Sequence, residues 1–209
     1  MKITVIGAGN MGSAFVKQLT QAGHQVSVTA RDAAKAAQLA ASVPGARAVA
    51  VAGAADGADA VILATGYGDA EAALRAVGGL DGKVLLDITN PLTADYMGLT
   101  IGHDTSAAEE IAKAITGAEV VKGFNTVFAQ VLAGGPELGG RQVSVFVASD
   151  SARAKEAATT IARTMGFEVV DAGSLKNARY LEPLAGLNIY LGYGAGWGTS
   201  IAPNWLRKA

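Results

Sequence analysis

The sequence predicts an α/β fold in which helices cover both faces of a mainly parallel sheet, the arrangement called doubly wound. Short apolar runs typical of buried strands alternate with helical segments six times between residues 3 and 123, as a full doubly wound domain requires. The first run, residues 3–6, is apolar with β-branched residues and leads directly into a glycine-rich turn,. We expect one such domain over residues 1–132 and a small C-terminal α/β extension, residues 133–209, packed on it.

The glycine-rich turn has the spacing G-x-G-x-x-G between a predicted strand and a predicted helix, which is the context of the Rossmann dinucleotide fingerprint. Gly7 permits the tight turn, Gly9 lets the backbone approach a pyrophosphate, and Gly12 lets the helix pack against the strand. Unpaired N–H groups at the helix N-terminus attract phosphate. The turn therefore predicts a dinucleotide site formed by Gly7, Ala8, Gly9, Asn10, Met11 and Gly12.

The end of the second predicted strand, residues 25–30, distinguishes NAD from NADP because it reaches the adenosine ribose. An NAD-binding chain usually has a carboxylate there, whereas this chain has Ala30 and Arg31, with Lys35 one helical turn later. Arg31 suits a 2′-phosphate through its planar fork, and Lys35 through its point charge. These residues favour NADP(H), although a shift of register would make Asp32 the ribose carboxylate of an NAD site.

Polar residues follow the fourth, fifth and sixth predicted strands, at the edge of the sheet where doubly wound folds bind ligands. Asn90 precedes a proline, which holds it extended and lets its amide point into the crevice. Tyr67 either lines the cofactor or covers a loop. The residues that we assign here to cofactor binding are Ala64, Thr65, Asp69, Asn90, Pro91 and Asn125.

Composition excludes several classes of function. The chain has 209 residues and a net charge of −1, which argues against nucleic acid held through its phosphates. It has no cysteine, so disulfides, zinc–thiolate sites and thiol nucleophiles are excluded, and a reducing compartment is favoured. No apolar run reaches the roughly 18 residues that span a bilayer, and glycines interrupt the N-terminal apolar stretch too early for a signal peptide. We expect a cytoplasmic protein with a small-molecule partner, without a metal, a membrane or nucleic acid.

The remaining segments yield no assigned catalytic residue. His24 is expected at the surface, and His103, in a loop on the ligand side, is either an acid or a solvated loop residue,. A helix is predicted from about residue 174 to residue 191, and its apolar positions suit burial against a neighbour or a second subunit,. We therefore expect a homodimer. The glycine-dense residues 192–198 are not predicted to be helical; they either fray or lie closely over a ligand,.

Five segments together resemble the NADPH-dependent deazaflavin (factor 420) reductases: GAGNMG, TAR followed by Lys35, DITNP, VVKGFNT and VVDAGSLKNARYLEPL. The chain is also similar to the cytosolic domain of six-transmembrane metalloreductases, which share the fold and pass electrons from NADPH to a flavin. This resemblance covers nearly the whole chain. It implies that residues 8–11 bind the pyrophosphate, and that Ala30, Arg31 and Lys35 bind the 2′-phosphate. The residues that it places along the nicotinamide half are Asp69, Asn90, Asn125 and Ala129.

The resemblance implies a hydride acceptor that is a flavin or a deazaflavin. Asn125 stands where the deazaflavin enzymes have a histidine, and the DITNP and FNT segments are closer to the metalloreductase type. Carbonyl reduction needs a well-placed proton donor, and obvious donors are scarce in this chain. Hydride transfer between two rings needs mainly positioning. We therefore interpret the protein as an NADPH-dependent oxidoreductase that transfers a hydride between NADP(H) and a flavin or deazaflavin.

Two other interpretations remain. One is an imine or carbonyl reductase resembling pyrroline-carboxylate reductase, whose glycine loop also tends to read G-x-G-N-M. That family adds a dimerising helical domain, which the strand-rich residues 142–170 do not resemble,. The other is a non-catalytic NADPH-binding sensor, which would keep the Arg31 and Lys35 pocket but lack a second pocket facing the nicotinamide.

Overall fold

A computed structural model describes residues 1–205, so the end of the predicted extension, residues 206–209, lies outside the described part. The strands are β1 (Lys2–Ile6), β2 (Gln25–Thr29), β3 (Ala46–Ala48), β4 (Ala60–Leu63), β5 (Val84–Asp87), β6 (Glu119–Lys122), β7 (Glu137–Leu138), β8 (Arg141–Gln142), β9 (Ser144–Ser149) and β10 (Glu168–Asp171). The α-helices are α1 (Asn10–Gln21), α2 (Ala33–Ser42), α3 (Tyr67–Val77), α4 (Ala107–Ala114), α5 (Ala129–Gly134), α6 (Ala152–Thr164) and α7 (Ala178–Ile189).

Eight of these strands form one sheet in the order β10-β9-β6-β5-β4-β1-β2-β3. Strands β1 to β6 pair in parallel, and β9 joins β6 in the antiparallel direction. The prediction of a Rossmann-type, mainly parallel sheet is therefore confirmed. The strand order reverses between β1 and β4, so the ligand crevice of a doubly wound sheet is expected at the carboxyl ends of these two strands.

The central strands are apolar because the sheet is covered on both faces. In β4, Ile62 belongs to one hydrophobic cluster, whereas Val61 and Leu63 belong to the other, on the opposite face. Strand β5 repeats this alternation, with Leu86 in the first cluster and Leu85 in the second. All five side chains are fully buried, which explains the continuous apolar runs in the sequence.

Residues after α5 extend the same sheet. All six residues of β9 are buried, and β10 pairs with β9 in parallel. A 3₁₀ turn, Leu175–Asn177, then leads into α7, which contacts α4. The division of the chain at residue 132 stays a prediction, because these strands share one sheet with β1 to β6.

Two local expectations are wrong. His24 is buried rather than at the surface, since its ring lies between the N-terminal amine and the Thr164 hydroxyl. The glycine-dense tail is partly helical, because a π-helical turn, Tyr190–Gly194, continues α7. Within residues 1–205, no helix has the length and apolar character needed to cross a membrane.

Candidate functional site

The glycine turn fits between two strand ends with no room for side chains. Gly7 has φ +121°, and its N–H donates to the Thr29 carbonyl oxygen over 2.8 Å. A Cβ on Gly7 would lie 2.3 Å from the backbone oxygen of Ala64. On Gly12 it would lie 1.9 Å from the Gly7 oxygen. These two glycines are therefore required by the backbone packing of the turn, as the sequence predicted.

Gly9 differs from the other two glycines because, in the part of the chain that the structure describes, no heavy atom lies within 4 Å of the position of an added Cβ. The fold leaves open space there. Gly9 is the N-cap of α1 and offers no side-chain hydrogen bond to the first turn of the helix. The first N–H groups of α1 therefore face that space without a side-chain partner, and this arrangement fits a diphosphate.

A cavity of about 680 Å³ lies beside this turn at the ends of β1, β2 and β4, and we call it the adenosine-side cavity. The Asp32 side chain accepts hydrogen bonds from the backbone N–H groups of Ala34 and Lys35, so it caps α2. Arg31, whose side chain is 88% exposed, reaches the Asp69 carboxylate at 3.5 Å. The predicted site residues that line this cavity are Gly7, Ala8, Gly9, Ala30, Arg31, Lys35, Ala64, Thr65 and Asp69. The resemblance implied that Asp69 lies along the nicotinamide half, whereas the structure places it on this side, in contact with Arg31.

The second half of the crevice lies at the ends of β5 and β6, and we call it the nicotinamide-side cavity. Two amides form its polar wall. The side chain of Asn90 donates to the Asn125 backbone oxygen at 2.8 Å, and Asn125 Nδ2 donates to Asn90 Oδ1 at 3.0 Å. The predicted site residues that line this cavity are Asn10, Met11, Asn90, Asn125 and Ala129.

Phe124, which precedes this amide wall, has a left-handed backbone. Its φ is +59°, a value that a residue other than glycine rarely adopts,. Its ring is held edge-to-face between Phe15, at 5.0 Å, and Phe167, at 5.8 Å. This packing stabilises the bend after β6 that brings Asn125 to the crevice.

Several buried oxygen atoms around the crevice have no hydrogen-bond partner among residues 1–205. They are Thr29 Oγ1, Thr89 Oγ1, Asn125 Oδ1 and Thr126 Oγ1. Thr29 lines the adenosine-side cavity, and Asn125 and Thr126 line the nicotinamide-side cavity. Buried polar atoms are rarely left unpaired, so these oxygens fit a polar ligand in both halves of the crevice.

Aromatic residues that the sequence pattern does not indicate complete the nicotinamide-side cavity. Phe128 and Tyr193 pack edge-to-face at 5.8 Å, and Tyr96 also lines the cavity. Tyr193 belongs to the glycine-dense tail. The sequence-based alternative that this tail lies over a ligand was the indication that Tyr193 could be near the site. Tyr96, with φ +62°, lies in the irregular loop after β5, where periodicity offers no signal.

Several residues that the sequence suggested for cofactor binding or proton transfer lie outside both cavities. Gly12 is inside the first turn of α1, and the Pro91 oxygen accepts a hydrogen bond from the Thr100 N–H. Tyr67 packs on a core cluster, where burial, followed by the charge of Glu110, raises the pKa of its phenol. His103 lines a separate hollow beside the start of α7. Residues 1–205 contain no cluster of side chains suited to a metal ion.

Comparison with known proteins identifies the family. The family model described as "NADP oxidoreductase coenzyme F420-dependent" matches residues 2–91. The F420-dependent NADP reductase of Methanothermobacter marburgensis is 31% identical, over 91% of this chain and 92% of that protein. A crystal structure of a proposed F420-dependent NADP reductase from Arthrobacter sp. FB24 has a TM-score of 0.89 and 31% identity, covering 99% of this chain and 100% of the other.

A second group of relatives matches only in part. The metalloreductase STEAP3 of Rattus norvegicus is 38% identical over 105 residues, which are 50% of this chain and 20% of that protein. The chain thus matches about a fifth of the length of these curated relatives. The resemblance to F420-dependent NADP reductases and the resemblance to metalloreductases are both confirmed. The match over nearly the full length of the F420-dependent NADP reductase identifies the family. The chain belongs to the family of coenzyme F420-dependent NADP oxidoreductases.

Proposed function

We propose that the protein transfers a hydride between NADP(H) and a flavin or deazaflavin. The turn at residues 7–12 would hold the pyrophosphate, Arg31 and Lys35 the 2′-phosphate, and the amides of Asn90 and Asn125 the nicotinamide half. The bound cofactor supplies the hydride. The protein's part is to fix the rings and to exclude water.

The observation that carries this proposal is the chemistry of the nicotinamide-side cavity. Its described lining consists of amides, aliphatic and aromatic side chains, hydroxyls and the Met11 thioether, without a carboxylate, imidazole, ammonium or guanidinium group. Transfer between two ring systems needs them held face to face at short distance, whereas carbonyl reduction also needs a proton donor. Apolar and aromatic walls suit a planar ring.

Tyr96 and Tyr193 are the phenols of this lining, so they separate the proposal from a carbonyl or imine reductase. If their only contribution is an aromatic surface, Tyr96→Phe and Tyr193→Phe will reduce the acceptor with kcat within about threefold of the wild type. A fall of about a hundredfold in either variant would instead indicate a phenol acting as the acid.

The direct test is a stopped-flow screen of NADPH oxidation at 340 nm. FMN, FAD, a deazaflavin, ferric chelates and cyclic imines are each mixed with the protein and NADPH. We expect turnover with one or both ring classes and none with the imines. Oxidation by imines alone would support the small-molecule reductase, and tight NADPH binding without any oxidation would support the sensor.

We also propose a cytoplasmic homodimer formed through the outer face of α7 and the segment after it. Tyr180, Leu187, Tyr190 and Trp197 follow one another along this segment and are each more than half exposed. Large apolar side chains gathered in one exposed segment suit burial against a second subunit. Light scattering coupled to size exclusion should give twice the chain mass for the wild type. Leu187→Glu should shift the protein to the monomer, and a monomeric wild type would contradict the proposal.

A further inference from the structure

Three ionisable side chains are buried together beneath the nicotinamide-side cavity. Asp87 ends β5, Lys122 ends β6, and Glu182 lies in α7; taken as whole residues, none of the three exceeds 1% exposure. Lys122 Nζ lies 2.9 Å from Asp87 Oδ2 and 2.8 Å from Glu182 Oε1. We call these residues the buried ionic cluster.

Stability alone does not account for this cluster. Burial costs each charge its hydration, and apolar residues of similar volume often stabilise a core as well as or better than a buried ion pair. Burial alone would lower the pKa of Lys122, but the Asp87 and Glu182 carboxylates outweigh it and raise the pKa above its ordinary value. Lys122 is therefore charged throughout the neutral range.

On the β5 side, the cluster fixes the peptide that precedes Asn90. Lys122 Nζ donates to the Thr89 backbone oxygen at 2.5 Å. Asp87 Oδ1 accepts from the Thr89 N–H at 2.8 Å. Both polar groups of Thr89's backbone are thus tied to the cluster, which leaves little freedom in the direction that Asn90 takes.

On the α7 side, the cluster fixes the helix that faces Asn125. The Glu182 carboxylate accepts from the backbone N–H groups of Ala107 at 2.8 Å and Ala108 at 3.2 Å, at the N-terminus of α4. The helix dipole favours this carboxylate, which accounts for two acids around one ammonium group. The neighbouring Leu181 oxygen accepts from Asn125 Nδ2 at 2.9 Å.

The two sides meet at the amide pair. Asn125 Nδ2 uses its two hydrogens on Leu181 and Asn90, so its Oδ1 is the side-chain atom left unpaired and buried. We propose that Lys122, held between Asp87 and Glu182, is a positioning residue that sets the Asn90–Asn125 amide pair and aims Asn125 Oδ1 at the nicotinamide half of the cofactor. This inference rests on the proposed function.

The test separates the two halves of the cofactor by calorimetry. The ligands are NADPH and 2′,5′-ADP, which carries only the adenosine half. In Lys122→Met, we expect the Kd of 2′,5′-ADP to stay within about twofold of the wild type and the Kd of NADPH to rise about fivefold or more. With the wild type's own acceptor, kcat should fall about tenfold or more, because small displacements of reacting groups are costly.

Lys122→Met leaves two buried carboxylates without a cation and is itself at risk of failing to fold. The triple variant Asp87→Asn, Lys122→Met, Glu182→Gln removes all three charges and keeps the side-chain sizes, so it carries the same test. Ile161→Ala, in α6, is the control for lost stability, since Ile161 is fully buried and lines neither cavity. This control should bind both ligands as the wild type does.

Either of two results in a folded variant would overturn the inference. One is an NADPH affinity within about twofold of the wild type. The other is equal weakening of both ligands, which would indicate a purely structural cluster. The ratio of the two Kd values does not depend on turnover. If none of the tested acceptors supports NADPH oxidation by the wild type, the proposed function is contradicted, but the binding test of the cluster still applies.

Discussion

Arg31→Ala tests which part of the cofactor the adenosine-side cavity recognises. The Arg31 side chain is 88% exposed, and its contact with Asp69 is 3.5 Å long, so its loss should change the folding free energy by less than about 1 kcal/mol. A charge-assisted hydrogen bond to a phosphate contributes about 1.5–3 kcal/mol. Since about 1.4 kcal/mol corresponds to tenfold in affinity, we expect the Kd of NADPH to rise about 10- to 100-fold.

NADH lacks the 2′-phosphate, so its Kd should change by less than about threefold in the same variant. The assay is a titration that follows nicotinamide fluorescence for both cofactors. Arg75→Ala is the matched control, because Arg75 is an exposed arginine that pairs with Glu71 on α3 and does not line the cavity. Equal weakening of NADPH and NADH by Arg31→Ala, or the same loss in Arg75→Ala, would refute the role of Arg31.

Four further outcomes are expected. Gly12→Ala places its Cβ 1.9 Å from a backbone oxygen of the turn and should lower the free energy of unfolding by about 1–3 kcal/mol; Gly9→Ala, which meets open space, should keep its Tm but bind NADPH more weakly. Hydrogen bonds from the Arg179 guanidinium lower the pKa of Glu109. The Glu109–Arg179 pair therefore stabilises the fold fully above the ordinary pKa of this carboxyl. That stabilisation is lost as the pH falls through the lowered pKa. Between about pH 5 and 3, the Tm of the wild type should therefore fall more steeply than that of Arg179→Met. Truncation after Leu191 removes an aromatic wall of the nicotinamide-side cavity and should abolish turnover with little change in the NADPH Kd; unchanged turnover would contradict a role for the tail in the acceptor site.

The local parts of the fold were predictable because they depend on short stretches of chain. The glycine spacing and the apolar strands each specify backbone geometry within a few residues. The position of Tyr193 was harder, since the glycines around it weaken helical propensity. Packing against Phe128 and continuity with α7 nevertheless favour a helical turn there,.

By itself the sequence determined the doubly wound class, the dinucleotide turn and the strand ends that carry polar residues, because periodicity and glycine stereochemistry are local properties. Only the tertiary structure decided which side chains meet. The lysine in VVKGFNT is unusual in an apolar strand, yet its partners Asp87 and Glu182 lie on other elements, brought together by strand order and by the docking of α7. The lysine itself can be read from the sequence, whereas its burial and its two carboxylate partners are visible only in the fold.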